Sequence, residues 1–170
     1  MRNISRGERI IMVILTFLCI VCFPLNPLVL AGIIEPAFVL TVHIAGWIAW
    51  AAGMVLVMAP IVLFPIRGGV RKGQSFVHTS KLVTTGVYAV VRHPQYLGGI
   101  LAIFLATPLL YPHWLFAVLA VPGIIIMYWS ALEEDKQLIR QFGDEYRDYA
   151  SRVPRMNLPL GIIRLLRKQP

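Results

Sequence analysis

Apolar residues run along this chain in long unbroken blocks, not in the alternating or every-third-position stripes of a soluble core. Three stretches carry no formally charged side chain: Ile10 to Ile34 with 25 residues, Pro36 to Ile66 with 31, and His93 to Leu132 with 40. A helix crosses the hydrocarbon of a bilayer with about 20 apolar residues. The first two blocks therefore predict one crossing each, over 10–34 and 38–64, and the third holds two if it doubles back. Its doubling point is TPLLYPHW, residues 107–114, where Pro108 and Pro112 interrupt helical hydrogen bonding and Tyr111, His113 and Trp114 suit a headgroup interface. That leaves a short span over 97–110 and another over 115–132. The predicted architecture is all-α, an integral membrane helical bundle of about four transmembrane spans with a tight C-terminal hairpin.

The polar segments between these blocks predict the rest. Residues 65–95 are too rich in glycine and basic side chains for one helix and read as a cytoplasmic loop. From 133 to 159, Leu138, Phe142, Tyr146 and Tyr149 recur at spacings of four, four and three between charged residues, the pattern of an amphipathic cytoplasmic helix that Pro154 and Pro159 terminate. Residues 160–170 form a basic tail. Within the second span, Ala45, Gly46, Ala49, Ala52 and Gly53 place small residues at helical spacing for close packing. His43 in the same span is expected to face the bundle interior or sit near the far interface as a packed polar residue.

Composition and charge sharpen this picture. The 170 residues are 58% hydrophobic and 14% charged, outside the range of a soluble domain. With both termini in the cytoplasm, residues 1–9, 67–92 and 133–170 contain three, five and eight of the sixteen Lys and Arg, and Glu35 is the only formal charge on the far side. The positive-inside rule is then met without exception. The net charge of +8 suits anionic lipid head groups, for example at RLLRK near the C-terminus. It does not suit nucleic acid, because the positives are spread along a membrane rim without a recognition motif. Cys19 and Cys22 lack a nearby His or carboxylate and read as apolar filler, so no metal site is predicted. The N-terminal block is longer than a typical signal core and shows no clear cleavage site, so it is read as an uncleaved span.

Candidate chemistry gathers at one membrane face. A hairpin returns the chain to the side where it entered, so Arg92 and His93 before the third span meet Glu133, Glu134 and Asp135 after the fourth, with Arg155 following. Charges at that depth need partners or a ligand. An interfacial ion pair between Arg92 and Glu134 is the plain reading, and a ligand clamp is the functional one.

The wording of these segments adds to the placement. LVTTGVYAVVRHPQYLGG, then EED, then LIRQFGDEYRDYASRVPR resembles the isoprenylcysteine carboxyl methyltransferase and phospholipid methyltransferase superfamily of integral membrane enzymes. The matching positions are Gly86, Tyr88, Arg92, His93, Pro94, Tyr96, Gly98, Glu134 with Asp135, Leu138, Phe142, Gly143, Tyr146, Tyr149, Val153 and Pro154, across residues 82–159.

The resemblance implies methyl transfer from S-adenosylmethionine. On that footing Arg92 and His93 hold the cofactor carboxylate, Glu134 the ammonium, and Tyr88 or Tyr96 the adenine, with Asp135 also among the cofactor-binding residues. Pro94 opens the third helix and Gly98 admits the ligand closely. The methyl acceptor is expected to be lipophilic or membrane-tethered, entering from the bilayer as an isoprenylcysteine-type carboxylate, a phospholipid amine or a thiol. Carboxyl-methylating relatives usually carry an arginine about a turn before the acidic pair, where this chain has Ser130. Arg155 is the substitute for gripping a carboxylate, and Glu133 or His93 the proton acceptor for an amine or thiol. Two other classes stay open: a sterol-reductase-like NADPH oxidoreductase, which shares the RHPxYxG element but is much longer, and a non-catalytic membrane scaffold with a degenerate site.

Overall fold

The computed structural model describes residues 26–67 and 81–167, with side chains left aside at 61–67. Most of the first predicted span, with Cys19 and Cys22, lies outside the described residues, as do residues 68–80 of the loop and the last three of the tail. Every regular element among the described residues is helical.

Residues 26–39, the end of the first predicted span and the link after it, hold a single helical turn, α1 (Pro27–Leu30). The Asn26 side chain caps it by accepting from the Leu28 amide at 3.0 Å, and Pro27 occupies the first helical position. The chain then turns at Gly32, whose φ of +67° favours glycine, and runs without regular structure to Val39. The predicted span over 10–34 therefore does not continue as helix to residue 34.

The second block folds as one helix, α2 (Leu40–Arg67). His43 sits in its first turn, where Nδ1 donates to the Val39 carbonyl at 2.9 Å and the ring stacks at a tilt on Phe38. The third block is α3 (Pro94–Leu110), then a link of three residues, then α4 (Trp114–Phe142). The turn falls within 107–114 because Pro112 removes an amide and His113 caps α4, accepting from the Leu115 amide at 3.3 Å. Inside α3, Ile100–Leu105 widens to a π-helical turn.

Small residues set the α2–α3 seam. A Cβ added at Gly53 would lie 2.5 Å from the Ala102 amide nitrogen and 2.6 Å from the Gly98 carbonyl oxygen, and one at Gly46 would meet Leu110 at 2.9 Å. Only glycine lets these backbones approach so closely. α4 packs along the other side of α3.

Two helices among the described residues are long and apolar enough to cross a membrane, Leu40–Pro60 and Trp114–Phe142, while α3 is a shorter apolar helix. The faces these helices do not spend on one another stay apolar: Ile48, Val55, Val118, Val121, Ile125 and Ile126 are all exposed. Such faces fit hydrocarbon better than water.

The sequence pattern misplaces the C-terminal boundaries. The fourth helix does not end near Leu132 but continues through Glu133, Glu134 and Asp135 to Phe142, a length of about 43 Å at 1.5 Å per residue. No helix breaker interrupts EEDKQLIRQF, and the helix stops at Gly143, whose φ is +59°. The single amphipathic helix expected over 133–159 is thus divided between the end of α4 and a short α5 (Asp144–Arg152). Pro159 ends nothing. It lies in the first turn of α6 (Leu158–Arg167), so the basic tail predicted over 160–170 is helical as far as Arg167.

Candidate functional site

Asp135 organises the end of the molecule where α3 begins and α4 projects past its apolar stretch. Its Oδ1 accepts from Arg92 Nη1 at 3.0 Å, from His93 Nε2 at 2.7 Å and from the Tyr146 hydroxyl, and its Oδ2 accepts from Arg155 Nε at 2.7 Å. One buried carboxylate therefore ties together the α3 entry, α4, α5 and the segment after α5. A buried charge is tolerated when it is fully paired in this way. The backbone repeats the connection, the amides of Arg92 and His93 donating to the carbonyls of Pro154 and Arg155 at 3.0 and 3.1 Å. The Tyr149 hydroxyl donates to the Tyr88 carbonyl at 2.6 Å, fixing the 3₁₀ turn Gly86–Ala89 against α5.

His93 sits between two acids. Opposite the Asp135 contact, its Nδ1 lies 3.6 Å from Glu134 Oε2. Burial opposes charge on the ring, yet the Asp135 and Glu134 carboxylates outweigh it and hold the His93 pKa above the ordinary histidine value. Burial pushes the phenols of Tyr88, Tyr146 and Tyr149 well above the ordinary tyrosine range, with the Asp135 charge adding to it at Tyr146, so all three remain O–H donors.

Beside this network lies a cavity of about 730 Å³. Arg92, His93, Pro94 and Tyr96 form one wall; Trp129, Ser130, Glu133, Glu134, Gln137 and Gln141 on a single face of α4 form another; Tyr88, Phe142, Tyr146 and Tyr149 close it with aromatic surface. The size falls within the roughly 300–1,000 Å³ of sites that hold cofactor-sized molecules. Among the described residues no three His, Cys, Asp or Glu side chains gather as a metal site.

Seven of the ten residues singled out in the sequence line this cavity: Tyr88, Arg92, His93, Pro94, Tyr96, Glu133 and Glu134. The other three do not. Asp135 stands behind His93 and serves the wall instead of facing a ligand. Gly98 is spent on the α2 seam, with its carbonyl against Gly53, so its smallness serves helix packing and not ligand approach. Arg155 lies outside the lining too, held by Asp135 and by the Tyr128 hydroxyl at 3.2 Å, and does not present a cation to the cavity. The expected clamp is altered in kind as well, because Arg92 and His93 direct their hydrogen bonds to an internal carboxylate. One donor there is left over: Arg92 Nε is buried with no partner.

Sequence reasoning passed over Trp129, Gln137 and Gln141. For Gln137 and Gln141 the signal is register: 130, 133, 134, 137 and 141 share one helical face once the helix is known to run past Leu132.

A family model described as phospholipid methyltransferase matches residues 41–145. Among curated proteins, the chain is 51% identical over 67 residues to methanethiol S-methyltransferase 1 of Bradyrhizobium diazoefficiens, covering 39% of this chain and 22% of that protein. It is 30% identical over 112 residues to methanethiol S-methyltransferase of Pseudomonas deceptionensis, covering 63% and 41%. It is 35% identical over 98 residues to protein-S-isoprenylcysteine O-methyltransferase of Schizosaccharomyces pombe, covering 50% and 39%. The chain thus spans less than half the length of these relatives. No solved structure matches it.

Proposed function

The chain belongs to the phospholipid methyltransferase family, and from that premise we propose that it is an integral membrane methyltransferase using S-adenosylmethionine as donor and a small or lipophilic thiol as acceptor. The observation that carries this reading is the cavity wall in which the Glu133 and Glu134 carboxylates stand among the aromatic side chains of Tyr88, Tyr96 and Phe142.

The residues suit the donor. Its sulfonium and ammonium are cations, for which Glu133 and Glu134 are the acidic partners; its adenine suits the aromatic surface of Tyr88 and Phe142. Its carboxylate suits the Arg92 guanidinium, which borders the cavity. When bound, S-adenosylmethionine supplies an electrophilic methyl group: the acceptor sulfur forms a bond to that carbon as the sulfonium carbon–sulfur bond breaks, leaving a thioether and S-adenosylhomocysteine. The protein supplies position and a dry, shaped cavity. Asp135 fixes the rotamers of Arg92 and His93. His93 has a carboxylate near each ring nitrogen, Asp135 at 2.7 Å and Glu134 at 3.6 Å, an arrangement that favours its donor role over that of proton acceptor. Glu133, half-exposed and paired with Lys136 at 2.6 Å, takes the thiol proton and passes it to water.

A thiol acceptor is favoured over a carboxylate because Ser130 offers no charge at its place in the wall and Arg155 is turned away from the cavity. Two of the relatives above are named for methanethiol. The four-span topology with a cytoplasmic site remains the reading of the charge distribution.

The test is calorimetry of detergent-purified protein with S-adenosylhomocysteine, then incubation with methyl-labelled donor and methanethiol. Saturable binding and labelled dimethyl sulfide are expected. No heat and no thermal shift at millimolar ligand would overturn the proposal.

A further inference from the structure

Arg155 and Tyr128 make a polar pair on the outer side of α4. Tyr128 and Gln137 of the cavity wall are about two and a half turns apart, so their side chains leave the helix in opposite directions. Tyr128 is 45% exposed and ends an apolar face on which Val121, Ile124 and Ile125 are exposed one and two turns earlier. The Arg155 guanidinium lies 5.7 Å from the centre of the Tyr128 ring and donates from Nη1 to its hydroxyl at 3.2 Å, with 28% of the side chain exposed. The pair therefore stands where the lipid-facing stretch of α4 gives way to charged sequence, the depth of phospholipid head groups.

The charges around this pair do not balance. Glu133 is paired with Lys136, and Glu134 stands beside His93. That leaves Asp135 to serve both Arg92 and Arg155, one carboxylate for two guanidiniums. Among the described residues no other acid forms an ion pair with Arg155. A guanidinium carries five N–H donors, and the bonds to Asp135 and Tyr128 use two of them. The Tyr128 hydroxyl accepts from Arg155 and keeps its own hydrogen to donate.

We propose that Arg155 and Tyr128 bind the phosphate of a membrane phospholipid whose acyl chain lies along Val121, Ile124 and Ile125. The site is on the far side of α4 from the cavity and does not depend on the methyltransferase reading. A phosphodiester fits its chemistry: it accepts several hydrogen bonds, carries the negative charge that the cluster lacks, and arrives joined to the hydrocarbon that the adjacent face needs. Free phosphate would satisfy the charge and leave the apolar face bare, and a diacylglycerol would do the reverse. Arg155 also holds Asp135 Oδ2, and its carbonyl accepts from the His93 amide at 3.1 Å. A bound lipid therefore braces the network that carries Arg92 and His93, and stabilises the fold as any ligand of the native state does.

To test this, the full chain in detergent is titrated with dioleoylphosphatidylglycerol, with dioleoylglycerol, which has the same chains without phosphate, and with glycerol 3-phosphate, which has phosphate without the chains. Native mass spectrometry counts the retained lipid, and a thermal melt reports stabilisation. Retention of a single phosphatidylglycerol per chain is expected, with a saturable rise in melting midpoint that neither control reproduces. An equal rise with dioleoylglycerol, or with glycerol 3-phosphate, overturns the assignment. Tyr128→Phe keeps the ring and leaves the bond from Arg155 to Asp135 untouched, and should weaken phosphatidylglycerol binding about tenfold. Arg155→Gln should abolish retention, whereas Arg167→Gln, which removes an exposed cation from α6, should preserve it. Unchanged binding in Tyr128→Phe, or equal losses in Tyr128→Phe and Arg167→Gln, would mean that only the general positive charge attracts lipid, and overturns the site. Tyr128→Phe decides the matter even if Arg155→Gln, which disturbs Asp135, does not fold.

Discussion

At the scale of single residues, the site depends on how Asp135 distributes its two oxygens among four donors. Asp135→Asn keeps the shape but removes the charge that three cationic side chains share. Losing one member of a buried ionic network costs about 3–5 kcal/mol, and chemical denaturation in detergent should show a loss of that order. Tyr146→Phe removes one neutral donor from a carboxylate that retains three others. Its cost should stay near the lower end of the roughly 1.5–3 kcal/mol typical of hydrogen bonds to charged groups. His93 adds a pH dependence whose sign is set by its raised pKa. Its contribution to stability is complete below the ordinary histidine pKa of about 6.5 and is lost as pH rises through the raised value of the folded state. The thermal midpoint should therefore fall as pH climbs beyond the ordinary histidine range, and His93→Gln should flatten that part of the profile.

At the scale of elements, the hairpin and the seam were legible because each is written in local chemistry. Pro112, flanked by Tyr111 and His113, marks the turn, while Pro108 is accommodated inside α3, and Gly46 and Gly53 mark the face of α2 that meets α3. The boundary after Leu132 was not legible in the same way. A change from apolar to charged residues signals where a helix leaves hydrocarbon, but charge does not end a helix, and EEDKQLIRQF is good helix-forming sequence. Gly98 was misread for a related reason, since a glycine that admits a neighbouring backbone and one that admits a ligand look alike until the partner helix is in place. The seam yields a contrast between neighbouring positions. Gly53→Ala drives a Cβ into the backbone of α3 at 2.5 Å, where no side chain can swing away. Overpacking of this kind costs about 1–3 kcal/mol. Gly99→Ala meets only the Met127 side chain at 3.7 Å and should be neutral, or stabilising by up to about 1 kcal/mol through helix propensity. Thermal melts of the two variants in one detergent should separate them.

At the scale of the whole molecule, the cavity is bounded by segments far apart in sequence, and their closeness comes from long-range ties that local patterns do not display. The charge pattern placed Arg92, His93, Glu134 and Arg155 at one end, yet it did not show that Asp135 would take up the basic groups, because pairing depends on side-chain reach across four elements. The outermost tie belongs to α6. Gly161 packs against the Val90 carbonyl, and Arg164 donates to the carbonyls of Ala89 and Arg152, joining the end of the chain to the 3₁₀ turn that carries Tyr88. Tyr88 lines the cavity while Arg164 does not. If the turn is held in place by α6, Arg164→Ala should weaken S-adenosylhomocysteine binding without removing any group from the cavity. A loss of about tenfold, equivalent to roughly 1.4 kcal/mol, is expected by calorimetry. Arg167→Ala, on the exposed side of the same helix, should leave affinity unchanged. Equal effects from the two substitutions would mean that α6 acts through its overall charge and not through the tie at Ala89.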